Sequence, residues 1–132
     1  MFIVDRTAMM EGWGAIPSCV KMCHSRGMVI VLLRITMRAD ADLAAYEALG
    51  GRMDELVRAM PGFVSVNYYT AADGDAFSLV TFESAEALAV WRDLPEHVEA
   101  QRQGRQRFYS SYSIQVCEVV RAYQFPPVAP SA

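Results

Sequence analysis

The residues with the clearest capacity for chemistry lie between positions 91 and 105, in the segment WRDLPEHVEAQRQGR. His97 is the single histidine after residue 27, and Gln101 and Arg105 follow it in the same segment. Imidazole is the side chain that changes its protonation near neutral pH, so His97 is the candidate general base. Arg105 is a further polar residue that could converge on a pocket beside this segment.

The helix predicted to begin at Pro95 has an inner face that is poor in large apolar groups. At about 100° per residue, one narrow stripe gathers five side chains: His97, Ala100, Gln101, Gly104 and Phe108. A helix that packs into a core normally shows Leu, Ile or Val on that stripe. The composition therefore predicts that this helix lines a cavity, and the alternative is a helix lying loosely at the surface.

Aromatic and amide side chains of neighbouring elements are expected to complete a site between this helix and the sheet. Asparagine is depleted in strands and needs partners when buried, so Asn67 is a candidate site residue that is not easily explained as structural. The predicted substrate-binding residues are Trp91, Gln101, Phe108, Tyr112 and Tyr69. The alternatives are structural: Trp91 in the core, His97 bonded to Glu96, and Arg105 solvated.

The predicted elements that position these residues follow the order β-α-β-β-α-β. Strands are expected over residues 28–37, 63–70, 77–82 and 112–125, and helices over 41–60 and 84–93, the second continuing past Pro95. This order is typical of a ferredoxin-like α+β fold, an antiparallel four-stranded sheet with helices on one face. Both alternating sets of strand residues are apolar, so the face without helices is expected to be apolar too. We therefore expect two copies to form a homodimer in which these faces pack against each other.

Composition indicates one globular domain that does not bind nucleic acid or cross a membrane. The 132 residues are 53% hydrophobic with a net charge of −3, and they contain no block of like charge and no run of membrane-spanning length. Three cysteines are an odd number, which favours a reducing, cytoplasmic location. We expect a loose extension over residues 1–27, a domain over 28–125 and a flexible tail over 126–132.

No motif predicts a bound metal or a tightly held organic cofactor. The segment CVKMCH in the extension separates its cysteines by three residues, whereas haem attachment uses two. A flexible segment with incidental thiols is therefore the favoured interpretation. The domain contains no glycine-rich phosphate loop, dinucleotide fingerprint or nucleophile elbow.

Three segments, together with the order of elements, resemble the antibiotic biosynthesis monooxygenase superfamily of dimeric α+β barrels. They are AMPGFVSV, W…PEH…Q…GR and FYSSYSIQVCEVVRAY, and the resemblance covers residues 28–125. The superfamily includes cofactor-independent quinol oxygenases and haem-degrading monooxygenases. The resemblance implies a homodimer that takes a small aromatic ligand.

The two branches of the superfamily imply different site residues. The haem-degrading branch has an asparagine on the first strand and an iron-ligating histidine about ten residues after a helical tryptophan. Trp91 matches, but position 101 is glutamine and the first strand has no asparagine. The quinol-oxidising branch implies an apolar pocket walled by Trp91 and Phe108, with His97 as base. Arg105, Asn67 and Tyr112 would then stabilise charge on oxygen. The alternative function is a non-catalytic or haem-binding, haem-degrading dimeric module.

Overall fold

The computed structural model describes residues 27–126. One compact unit spans Ser25–Val120, and the second unit is represented among the described residues by 121–126, which hold no helix or strand. Residues 1–26, with the CVKMCH segment, and residues 127–132 lie outside the described part, so the predictions of an extension and a tail stay predictions.

The elements follow the predicted order and form the predicted fold. They are β1 (Val29–Met37), α1 (Leu43–Arg58), β2 (Phe63–Thr70), β3 (Ala76–Phe82), α2 (Ala85–Asp93), α3 (Pro95–Gln103), a π-helical turn (Gly104–Phe108) and β4 (Tyr109–Glu118). The sheet is antiparallel with strand order β2-β3-β1-β4. This is the ferredoxin-like arrangement, and the predicted fold class is confirmed.

The helix boundaries follow from local hydrogen bonding. The side chain of Asp42 accepts a hydrogen bond from the backbone N–H of Ala45, and that of Ser84 accepts one from Ala87, so each satisfies a donor that a helix start leaves free. Pro95 occupies the first turn of α3, where its missing N–H costs nothing. α1 runs without interruption through the glycine pair at positions 50 and 51.

The last strand differs from its prediction at both ends. β4 begins at Tyr109 and ends at Glu118, whereas the pattern predicted residues 112–125. The π-helical turn ends at Phe108, and β4 begins at the next residue. The N–H of Arg38, which follows β1, donates to the carbonyl of Phe108. Beyond Glu118 the N–H of Val119 still donates to the carbonyl of Met28 at 2.9 Å, and the described residues after it form no strand.

The three helices cover one face of the sheet. Val29, Val66 and Phe82 of three strands form the core with Val57 of α1 and Trp91 of α2. Side chains alternate between faces along a strand, so Leu32, Leu79 and Asn67, which are paired across the sheet, point to the opposite side. Within residues 27–126 no helix covers that opposite face, and no helix there is long and apolar enough to cross a membrane.

Candidate functional site

A cavity of about 400 Å³ lies between the helices and the covered face of the sheet. Its size falls within the range of about 300–1,000 Å³ that is usual for small-molecule sites. The walls are largely apolar, with aliphatic side chains from all four strands and from α1 and α2, among them Val31, Leu33, Met53, Val80, Leu88 and Val116. The helix predicted to line a cavity does so through His97, Ala100 and Gln101 of α3.

The imidazole of His97 is held in one orientation by its neighbours. Its ring stacks on the buried indole of Trp91, with ring centroids 4.1 Å apart and planes 19° from parallel. Nδ1 lies 3.0 Å from the carbonyl oxygen of Trp91. Glu96 forms an ion pair with Arg52 of α1 instead, with Nη2 and Oε1 3.0 Å apart. The alternative in which His97 bonds to Glu96 is therefore wrong.

The hydrogen bonds assign the proton of the neutral ring to Nδ1. A carbonyl oxygen accepts only, so Nδ1–H donates to Trp91, since two facing acceptors at that distance would repel. The amide Nε2 of Gln101 donates to the carbonyl of Arg92 at 3.0 Å and passes 3.2 Å from Nδ1. The lone pair of neutral His97 is therefore on Nε2.

Burial lowers the pKa of His97 below its usual value of 6.5, because it disfavours the charged imidazolium. The hydrogen bonds to the backbone of Trp91 and Arg92 act in the opposite direction and offset only part of this shift. The ring is consequently neutral at pH 7. A neutral imidazole that lines a cavity is able to accept a proton from a bound substrate.

The structure brings five of the eight predicted site residues to this cavity and separates the other three from it. The five are His97, Arg105, Trp91, Gln101 and Tyr112. Asn67 and Tyr69 lie on the opposite face, paired with Leu79 and Phe77, so their predicted place in the cavity is wrong. Phe108 is buried against the ring of Tyr46, with centroids 5.5 Å apart, and is a core residue instead of a cavity wall.

Three tyrosines line the cavity that were not among the predicted site residues. They are Tyr46, Tyr68 and Tyr109. The helical spacing of apolar residues in α1 predicts that Tyr46 lies on the inner face of that helix. Tyr109 faces the cavity because the register of β4 against β1 shifts by one residue, at Ser110, between Tyr109 and Ser111. This bulge allows Tyr109 and Tyr112, which have opposite parity, to face the same side.

These phenols stay protonated over the neutral range. Burial raises the pKa of Tyr109 to about 12. Burial and the hydrogen bond to Asp54 raise the pKa of Tyr68 to about 12, with Oη and the carboxylate oxygen 2.8 Å apart. Asp54 is in turn paired with Arg58 at 2.8 Å. Tyr109 therefore offers a neutral hydroxyl group to a ligand, whereas the hydroxyl proton of Tyr68 is donated to Asp54.

The residues at the cavity do not match the requirements of a metal ion or of the familiar haem site. The described residues contain no group of three or more histidine, cysteine, aspartate or glutamate side chains that could hold a metal ion. At the position expected for the iron ligand, Gln101 directs its amide N–H to the carbonyl of Arg92, so this nitrogen is a donor and not a ligand. The haem pattern does not fit.

Together, the fold and the cavity define a ferredoxin-like α+β protein with a ligand-sized hollow between helices and sheet. The family model described as antibiotic biosynthesis monooxygenase matches residues 28–103. The chain belongs to the antibiotic biosynthesis monooxygenase family.

Curated and solved proteins resemble this chain in sequence or in fold. Over 80 residues the chain is 34% identical to the uncharacterized protein YqjZ of Bacillus subtilis (strain 168), covering 61% of this chain and 70% of YqjZ. Rv0793 of Mycobacterium tuberculosis is 26% identical, with a TM-score of 0.65 over 73% of this chain and 98% of its own. SnoaB of Streptomyces nogalater, a cofactor-independent oxygenase, is similar in fold alone, with 16% identity and a TM-score of 0.61 over 77% and 99%.

Proposed function

We propose that this protein is a cofactor-independent monooxygenase that oxidises a small aromatic or quinol-like compound with dioxygen. The observation that carries the proposal is the neutral imidazole of His97, stacked on Trp91 and lining an aromatic and apolar cavity. The fold shared with SnoaB, itself a cofactor-independent oxygenase, is consistent with this chemistry.

The reaction begins with proton transfer from the substrate to Nε2 of His97. The resulting carbanion or phenolate is electron-rich and supplies electrons to dioxygen itself, so no separate reductant is needed. For an anthrone, one oxygen atom becomes the new carbonyl oxygen and the other leaves as water with the two hydrogens of the oxidised methylene group. Arg105 and Tyr112, which line the same cavity, are assigned to stabilise negative charge on oxygen.

Oxygen uptake tests this proposal directly. Purified protein should accelerate oxygen consumption by an anthrone or a reduced naphthoquinol above autoxidation. His97→Ala should lower kcat by about 100-fold or more, because a positioned general base contributes that much. The matched control is Val98→Ala on the same helix, since Val98 is exposed and does not line the cavity. Uptake that equals autoxidation with wild-type protein would contradict the proposal.

The alternative is a module that binds the same ligands without turning them over. The cavity alone supports it, because apolar walls bind aromatic compounds whether or not a base is present. In that case a naphthol should raise the melting temperature of wild type and His97→Ala equally. Oxygen uptake that depends on His97 excludes this alternative.

We also propose that two copies associate through the uncovered face of the sheet. Leu32 and Leu79 are paired neighbours on that face, and contiguous apolar surface of this kind is usually covered by a partner. A two-fold pair would cover both sheets at once.

A cytoplasmic location is supported by the odd number of cysteines.

A further inference from the structure

Arg105 has a different electrostatic setting from the other arginine at the cavity. Arg92 also lines the cavity, but Asp93 neutralises it through two contacts, Nε to Oδ1 at 2.9 Å and Nη2 to Oδ2 at 3.0 Å. The side chain of Arg105 forms no ion pair or hydrogen bond with any residue in the described part of the chain. Its charge is therefore available to a ligand.

A second depression meets the cavity at this arginine. It is lined by Arg105, Tyr109, Ser110, Ser111 and Tyr112, and we call it the outer depression. Arg105, Tyr109 and Tyr112 line both spaces. The apolar cavity thus continues into a region that offers hydroxyl groups and a guanidinium.

The described residues that line the two spaces include arginines but no carboxylate. Among the described residues, neither the cavity nor the outer depression has an aspartate or glutamate in its lining. The chain as a whole carries a net charge of −3, so a site without carboxylates departs from its average surface. An anionic group placed beside Arg105 would meet attraction without a competing negative charge.

We propose that the site selects aromatic compounds that carry an acidic substituent, with the aromatic body in the cavity and a carboxylate in the outer depression. A guanidinium presents five donors in a planar fork that matches the two oxygens of a carboxylate. The hydroxyl group of Tyr112, which lines both spaces, supplies a further donor. The proposal rests on the proposed function, since it names the substrate class of the same cavity.

Arg107 provides a matched control for this assignment. It follows Arg105 by two residues in the π-helical turn but lines neither space. Its guanidinium lies over the ring of Phe108 at 5.0 Å, and Nη1 donates to Gln103 at 3.1 Å. Both arginines are exposed, and replacing either by glutamine removes the same charge from the chain.

The experiment compares two ligands of nearly equal shape, 2-naphthoate and 2-naphthamide, by titration calorimetry without turnover. Wild type should bind the acid about tenfold more tightly than the amide, the size expected for hydrogen bonds to a charged group. Arg105→Gln should abolish that preference and leave the affinity for 2-naphthamide within twofold. Arg107→Gln should behave as wild type.

Three results would overturn the proposal: equal affinity of wild type for both ligands, a preference that survives Arg105→Gln, or no binding of either ligand at millimolar concentration. An equal loss in Arg107→Gln would assign the effect to overall charge and would also overturn it. Binding is measured apart from oxygen uptake. A protein that oxidises neutral quinols without preferring the acid would therefore refute this inference and retain the proposed function.

Discussion

At the scale of single residues, the site depends on how Trp91 fixes His97. The indole supplies a flat surface for the imidazole, and its own backbone carbonyl receives the Nδ1 proton. Trp91 and His97 can contact each other because the helix is interrupted between them at Leu94 and Pro95. The end of α2 and the start of α3 therefore approach each other. Orientation and tautomer of the base are thus set by one neighbour.

The lowered pKa of His97 predicts how stability and activity respond to acid. In the unfolded chain the imidazole takes up a proton near its ordinary value of 6.5, whereas burial delays protonation of the folded form to lower pH. The free energy of unfolding should therefore fall as pH drops from about 6.5 towards the lowered pKa of the folded state, and level off below it. Oxygen uptake should fall over the pH range in which folded His97 becomes charged.

Urea unfolding between pH 4 and 8, with an NMR titration of the histidine ring protons, measures both pKa and stability. His97→Gln should remove the part of the pH dependence that arises from this ring. His24→Gln identifies the second set of ring protons, because the chain has two histidines. A pKa of His97 at or above 6.5 would contradict the assignment of a buried, neutral base.

At the scale of secondary-structure elements, substitutions at the two glycines of α1, Gly50 and Gly51, can test helix stability and cavity shape independently. Gly50 lines the cavity and Gly51 does not. A Cβ atom added at either position would meet no atom within 4 Å. Both residues have the same helical context, so substitutions at the two positions form a matched pair.

Replacing either glycine by leucine should raise the free energy of unfolding by about 0.5–1 kcal/mol, because glycine is a poor helix former. Only Gly50→Leu should also weaken ligand binding, by about tenfold or more, since its side chain would enter the space that the ligand needs. Chemical denaturation and calorimetry with 2-naphthoate measure the two effects. Equal loss of affinity in both variants would show that α1 does not form this wall.

At the scale of the whole molecule, the sheet has one face packed under helices and one face left to the proposed partner. On the uncovered face, Arg34 pairs with Asp75 at 2.6 Å and Asp73 at 2.8 Å, which fixes the turn between β2 and β3. Near the centre of the same face, Leu32 and Leu79 are only partly buried. This apolar centre is the surface that we expect two copies to share.

Leu32→Lys should convert a two-chain particle into single chains, because a charge at the centre of an apolar interface is costly to desolvate. Analytical ultracentrifugation measures the mass. Val98→Lys on α3 is the control, since Val98 is exposed on the helical side of the molecule. Wild-type protein that sediments with the mass of one chain would rule out the proposed pair.

Much of the fold follows from the sequence because its signals are local. Pro61-Gly62 and the AADGD turn bound β2 at the predicted residues 63–70, and Gly74 takes the positive φ of +91° that the turn requires. Asp42, Ser84 and Pro95 mark the starts of the three helices. The polar stripe of α3 is likewise a property of adjacent turns of one helix. For this reason the sequence alone placed His97 and Gln101 on the face that lines the cavity.

Only the tertiary structure decided which strand residues enter the site. When both alternating sets of residues in a strand are apolar, the sequence does not show which set faces the helices. The pairing of β2 with β3 places Asn67 and Tyr69 on the face opposite the cavity. The bulge at Ser110 reversed the alternation for Tyr109, and the π-helical turn placed Phe108 in the core. Periodicity along the chain determines that an element has two faces, whereas contacts between distant segments determine which face is buried.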